Sequence, residues 1–426
     1  MRYRVSKSSI VSPQRILGYI LTTILVFLQG SVLFSGSRVL LIVFLFVAFG
    51  IFIIKNIKFD KFIFIVFFFL IIVSIAQFFK FSFISYTTLI GTLTRFLLPY
   101  FFIKIINKNY LKYFVNVLFF FTIISLLLYI PSVLFPAFYN FLLSLSGSSG
   151  IRNLMEENNL IVYTVETDVR LGFLRNSGFF WEPGAFSGFL IVALLCNIVI
   201  NRRLWNFKNI IFLFTIITTF STSGYIAMFM VVLFYYMVNL NKRITYFLIP
   251  LLCLSAWYSY FQLDFLGERI NTEIQMTEKG DVKYTGRLGS GEKDFQDIKK
   301  YPLIGRGRNV NTRFESYDKN DILEFHRTNG VTDFAVKYGM LFWIFYFFNI
   351  YKSFRLFCEN YNFSSKFALY ILLVIFTIGF SQTFFQGTFF ISFLYLHVLY
   401  KRNPPITKAR RKANAKDFSR YTYIQS

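Results

Sequence analysis

Apolar stretches of about twenty residues recur from one end of this chain to the other, and no other feature restricts its folding so severely. A bilayer core about 30 Å thick is crossed by ~20 apolar residues in a helix, which satisfies its own backbone polar groups where no water can. Runs of that kind lie at about 16–34, 39–54, 62–79, 86–106, 114–136, 184–200, 207–223, 224–240, 244–262, 334–352, 367–386 and 387–400. Those at 39–54, 224–240 and 387–400 are short. Very few runs carry a charge, and the alternation of a transmembrane barrel is absent. The expected fold is an all-α integral membrane bundle of about twelve helices. Only 15% of the 426 residues are charged and 55% are hydrophobic. That is too little charge for a soluble enzyme or a disordered basic tail.

The formal net charge of +24 is unevenly placed. Basic residues crowd the N-terminus (Arg2, Arg4, Lys7, Arg15) and alternate connections: Lys55, Lys58 and Lys61; Lys104, Lys108 and Lys112; Arg202, Arg203 and Lys208; Lys242 and Arg243; Lys352, Arg355 and Lys366. The tail from 401 adds eight more, and only Asp60, Glu359 and Asp417 oppose the whole set. By the positive-inside rule that side is cytosolic, with both termini on it. The charge is thus a topology signal and a grip on anionic lipid headgroups, and nucleic acid is not an expected partner. The first run follows basic residues but lacks a small-residue cleavage site, so it reads as an anchor.

The expected organisation is helices one to five (1–136), a first extracytoplasmic loop (137–183), helices six to nine (184–262), a second such loop (263–333), helices ten to twelve (334–400) and a basic cytosolic tail (401–426). Long loops of mixed charge are usually functional. Cys196, Cys253 and Cys358 lie outside both, so neither a disulfide framework nor a thiolate metal site is expected.

Loop one contains Ile161–Val169, which alternates enough for a short strand, and then Arg175-Asn-Ser-Gly-Phe-Phe-Trp-Glu-Pro183 running into helix six. Pro183 suits a first helical turn, and Phe179, Phe180 and Trp181 suit the headgroup level. Arg175 and Glu182 place opposite charges at the membrane edge, either as a mutual salt bridge or as working groups. Glu166 and Asp168 read as solvated loop acids. In loop two, Ser290 is placed to cap a short amphipathic helix with Phe295 and Ile298 on its apolar face, ending before Pro302. Gly305-Arg306-Gly307-Arg308 follows, in which glycines flanking arginines suit a phosphate or a solvated turn. His326 and Asn329, three apart, share a face if helical. His397, in the last run, reads as a packed core residue. Arg95, near the middle of helix four, is a functional candidate or an interhelical clamp.

Taken in order, these residues resemble the Wzy-type O-antigen polymerases and related O-antigen ligases of bacterial envelopes. The resemblance rests on Arg175, Gly178, Phe179, Glu182 and Pro183 in loop one. In loop two it rests on Gly286-Arg287, Pro302-Leu303-Ile304-Gly305-Arg306-Gly307, His326, Asn329 and Gly339. Two departures stand out: Phe295 where the family often has Trp, and Arg327-Thr328 between a His and an Asn that are often adjacent.

The resemblance implies a multi-pass GT-C-type glycosyltransferase of the bacterial inner membrane, with both large loops periplasmic. Its substrates would be undecaprenyl-diphosphate-linked oligosaccharides, and its partners the lipid bilayer and a chain-length-regulating co-polymerase. Leaving-group charge is then stabilised by fixed arginines. On that basis Arg175 and Arg287 face the diphosphate and Arg306 or Arg308 supports them. Arg95, Gly305, Gly307 and Asn329 complete the diphosphate or glycan site. His326 is the base or hydroxyl positioner, and Glu182 orients an arginine or replaces it as base. No metal or cofactor is expected. The rival readings are a ligase transferring glycan to lipid A core, a flippase or transporter, and a structural membrane protein. The transporter lacks the internal repeats such folds usually carry.

Overall fold

The computed structural model describes residues 12–83, 85–148, 158–170, 172–239, 287–313 and 329–400. These are mostly helical. In chain order the helices are α1 Pro13–Gly30, α2 Arg38–Ile54, α3 Lys61–Phe81, α4 Tyr86–Ile106, α5 Tyr110–Leu134, α6 Pro136–Leu145, α7 Pro183–Asn201, α8 Phe207–Thr218 and α9 Thr222–Asn239. They continue as α10 Arg287–Lys300, α11 Val310–Arg313, α12 Gly330–Asn360, α13 Phe367–Ser381, α14 Thr388–Ser392 and α15 Leu396–Leu399. Eleven of the twelve apolar runs therefore fold as helix, while 244–262 lies outside the described residues.

Five stretches are long and apolar enough to cross a membrane: Lys61–Phe81, Tyr86–Leu134, Pro183–Asn201, Thr222–Asn239 and Gly330–Asn360. Their neighbours α2, α8, α13 and Thr388–Leu399 are equally apolar but shorter. Val39, Phe46, Phe64, Phe68, Leu127 and Phe348 are each more than half exposed. Apolar surface on that scale is stable against lipid, not water. Polar residues between the runs start the helices: Ser37 accepts from Leu40 N at 3.3 Å, Ser85 from Thr88 N at 3.4 Å and Asn206 from Asn209 N at 3.1 Å.

α7 lies at the centre, enclosed by α5, α8, α9 and α13. The last apolar run is not one straight helix. Phe384–Gln386 and Phe393–Tyr395 are tight 3-10 turns interleaved with α14 and α15. Phe389 of α14 packs on Tyr110, Phe114 and Phe189, and Tyr395 donates to Phe96 O at 2.9 Å. His397 is a packed core residue, with its ring against Phe62 and Nδ1 3.0 Å from Leu394 O.

Two expectations about the membrane edge change. Phe179 and Phe180 are fully buried because α1, α5 and α7 enclose them, Phe179 against Phe27 and Phe121 and Phe180 against Gly30, Phe186 and Phe189. The tenth run begins as a short helical piece, Gly330–Tyr338, which breaks at Gly339 (φ 79°, ψ 160°) before the long apolar helix continues. That conformation is essentially confined to glycine.

Candidate functional site

Loop one is a small scaffold clamped to the connection between α8 and α9. Two-residue strands β1 Gly147–Ser148, β2 Asn158–Asn159 and β3 Thr164–Val165 pair antiparallel, and β4 Val169–Arg170 pairs with β5 Phe173–Leu174. The single strand expected over 161–169 is therefore broken, with Ile161 at φ 70°. Arg175 is nearly buried. Its Nη1 donates to Asp168 at 2.8 Å and its Nε to Thr219 O at 3.3 Å. Arg170 reaches Phe220 O at 3.1 Å, and Asn176 exchanges bonds with Thr218 and Ser125. The Arg175–Glu182 ion pair does not form: Arg175 goes to Asp168, and the Glu182 carboxylate accepts from Gln382. Nor are the loop acids merely solvated, since Glu166 accepts from Ser177 at 2.7 Å.

Loop two is organised around buried charge. α10 begins at Arg287, before Ser290, and Ser290 and Asp294 lie fully buried while Phe295 is 54% exposed. The helix thus buries a polar face, not the expected apolar one. The reason is the ion cluster it completes. Arg313 donates to Asp294 at 2.7 Å and Asp333 at 2.9 Å, with Asp297 at 3.5 Å. Arg306 binds Asp297 at 2.6 Å and stacks on Tyr301, while Lys337 binds Asp333 at 2.6 Å. Thr332 donates to Asp294 at 2.7 Å. Burial alone would lower the Arg313 pKa, but Asp333, Asp294 and Asp297 outweigh it and hold the guanidinium above its ordinary value.

The glycine motif seats this cluster on α12. The amide of Arg306 donates to Val336 O at 2.6 Å and that of Met340 to Pro302 O at 2.8 Å. A Cβ on Gly339 would sit 2.0 Å from Leu303 O, and one on Gly305 2.4 Å from Val336 O. Gly305 and Gly339 therefore act by letting two backbones touch. Gly307, at φ 83°, abuts Gln77 of α3, whose amide donates to Ile304 O and Lys337 O at 2.6 and 3.0 Å.

The turn after α13 ties the two loops together. Gln382 bonds Glu182 at the start of α7, and Gln386 bonds both Asp333 and Lys337. Gln29 of α1 holds this turn from below, donating to Phe384 O at 3.0 Å and accepting from Phe390 N at 3.1 Å. One short turn thus carries a glutamine to the threshold of α7 and another to that of α12.

Beside the cluster, a narrow, partly open cleft with room for about 70 Å³ lies between α3, α4 and the Arg306–Thr312 segment. Arg306, Arg308 and Lys337 line it together with Gln77, Thr88 and Thr92, and among the described residues no carboxylate does. Arg308 donates to Thr92 at 3.0 Å and, among the described residues, has no carboxylate within ion-pair distance. Arg95 is half-buried one turn further along α4.

Of the residues singled out in the sequence, Arg306, Arg308 and Gly307 converge on this cleft, whereas Arg175 is held by Asp168 and Thr219 and Glu182 by Gln382. Asn329 is the N-cap of α12, accepting from Val331 N and Thr332 N at 3.1 and 3.3 Å. His326 lies outside the described residues, as does the side chain of Arg287. Sequence reasoning missed Asp294, Asp297, Arg313, Asp333, Lys337, Gln382 and Gln386. Of these, Asp333 and Lys337 carried a signal: two charges four apart at the head of an apolar run. Comparison with protein-family models, curated proteins and solved structures returns no match.

Proposed function

We propose that this protein is a membrane glycosyltransferase that polymerises oligosaccharide repeat units carried on undecaprenyl diphosphate, acting on the extracytoplasmic side. The observation that carries the reading is the basic cleft at the head of α3 and α4, where Arg308 stands without a carboxylate partner among the described residues. A diphosphate is a ligand of the right charge and reach for a guanidinium fork with a neighbouring ammonium. The expected reaction is displacement at the anomeric carbon. A hydroxyl of the acceptor glycan forms the new C–O bond, the bond to the lipid diphosphate breaks, and the diphosphate leaves with the electron pair. The hydroxyl proton passes to a base, for which the family resemblance offers His326. Arg308 supplies fixed positive charge where negative charge grows on the leaving group. Arg306 and Lys337 are already tied to carboxylates and serve mainly to hold the cleft's shape. In this reading twelve spans put both termini in the cytosol and both loops outside.

The test is the glycan profile of cells lacking the protein. A polymerase predicts lipid A core bearing one repeat unit, with the ladder restored by wild-type protein and not by Arg308→Gln or Arg175→Ala at equal membrane abundance. Core bearing no repeat would point to ligase or flippase instead. An unchanged ladder would sink the glycan reading altogether.

A further inference from the structure

The opposite end of α4 carries a second cavity that the polymerase reading does not use. It is an open pocket with room for about 470 Å³, lined by Gln14, Lys55, Ile57, Lys104, Ile105, Asn107, Val398 and Leu399. Thr88 and Thr92 line the first cleft near the start of α4, whereas Lys104 to Asn107 line this one at its end. A helix of 21 residues is about 30 Å long, the thickness of a hydrocarbon core. The two cavities thus sit at opposite membrane edges.

Its chemistry is that of an anion site with an apolar floor. Lys104 is braced by Asp60 at 2.6 Å, and Asp60 is itself held by the Tyr100 hydroxyl. One ion pair leaves an ammonium two further donors. Lys55 is exposed and, among the described residues, has no ion-pair partner for its ammonium. Asn107 accepts from Lys108 N through its amide oxygen, which leaves the amide N–H groups as donors. The first turn of α1, at Gln14, adds the positive end of a helix dipole, with no acidic residue and no side-chain cap to neutralise it. Among the described residues, Asp60 is the one acid paired with a lining lysine. Lysines at helix C-termini also complement the dipoles of α2 and α4, which accounts for the residue type but not for a cavity between four segments. Ile57, Ile105, Val398 and Leu399 form the wall where acyl chains would begin.

We infer that this cavity binds the phosphate of an anionic membrane phospholipid, with Lys55 and Lys104 as its cations and Asn107 and Gln14 as neutral donors. Basic pockets between helices at this level are a known recognition mode for such headgroups. The inference is independent of the glycan chemistry at the other face.

Native mass spectrometry and thermal unfolding of the purified full-length protein test it. The probes are phosphatidylglycerol, phosphatidylcholine of the same acyl chains, and inorganic phosphate. Phosphatidylglycerol is expected to be retained at one per chain and to raise the unfolding midpoint, and the other two are not. Lys55→Gln should weaken that retention about fivefold, the effect of removing one basic residue at a membrane surface. Lys58→Gln, an equally exposed lysine outside the cavity, should leave it within about twofold. Both variants should melt like wild type without lipid. Equal retention of the two lipids, equal loss in both variants, or a shift from inorganic phosphate as large as that from phosphatidylglycerol would overturn the inference.

Discussion

Arg308 and Arg313 lie five residues apart, yet the structure gives them opposite roles, and one pair of substitutions separates these. The guanidinium of Arg313 is 3% exposed and bridges Asp294 and Asp333, at 0% and 1%. In Arg313→Gln, the buried carboxylates of Asp294 and Asp333 lose the guanidinium that bridges them. Breaking a buried ion pair from one side costs about 3–5 kcal/mol. At roughly 2 °C per kcal/mol for a large chain, the unfolding midpoint should fall by about 6–10 °C. Adding Asp294→Asn removes one of the two carboxylates left without that guanidinium and should recover part of the loss. Arg308→Gln removes one hydrogen bond to Thr92 at 3.0 Å, worth about 1 kcal/mol, so its midpoint should stay within about 2 °C of wild type while polymer formation is lost. Thermal unfolding of the solubilised variants, read beside the glycan ladder, measures both. Wild-type melting of Arg313→Gln, or an equal fall in Arg308→Gln, would refute the division between a structural and a working arginine.

Other expectations follow from single contacts. Gly339→Ala forces a Cβ to within 2.0 Å of Leu303 O in a conformation that costs about 1–3 kcal/mol by itself. Limited proteolysis should find loop two released from α12, and unchanged cleavage would contradict the docking. Asn329→Ala should lose about 1 kcal/mol of capping and Asn329→Asp should not, as thermal midpoints will show. Gln386→Leu removes two hydrogen bonds to charged partners, each worth about 1.5–3 kcal/mol. It should lower both stability and polymer yield, whereas Gln386→Glu in place of the amide should restore the bond to Lys337 only.

The sequence-derived architecture and the structure agree where one physical rule dominates. Apolar runs of membrane length fold as helices throughout the described residues, and Pro183 stands at the first position of α7. They diverge where the outcome depends on partners distant in the chain. Nothing local to Arg313 announces Asp294 and Asp333 on either side of it, and composition does not distinguish Phe179 at a headgroup from Phe179 packed between helices. Gly305 and Gly339 were legible as a motif. Their physical role required knowing that the two backbones meet. Phe295 was assigned to a buried face because an amphipathic helix normally buries its apolar side, an assumption that fails when carboxylates are met by arginines.

The interrupted segment at 384–399 has a consequence for biogenesis. It is synthesised after α1 to α13, yet it fills the space between Tyr100, Tyr110, Phe114, Phe189 and Phe354. Until it arrives, the earlier helices enclose a hollow, and their inner faces have no partner to pack on. A chain stopped before Thr388 would therefore lack its keystone and not an outer stave. Such a product would leave the inner faces of α4, α5 and α7 without the aromatic partners they pack on.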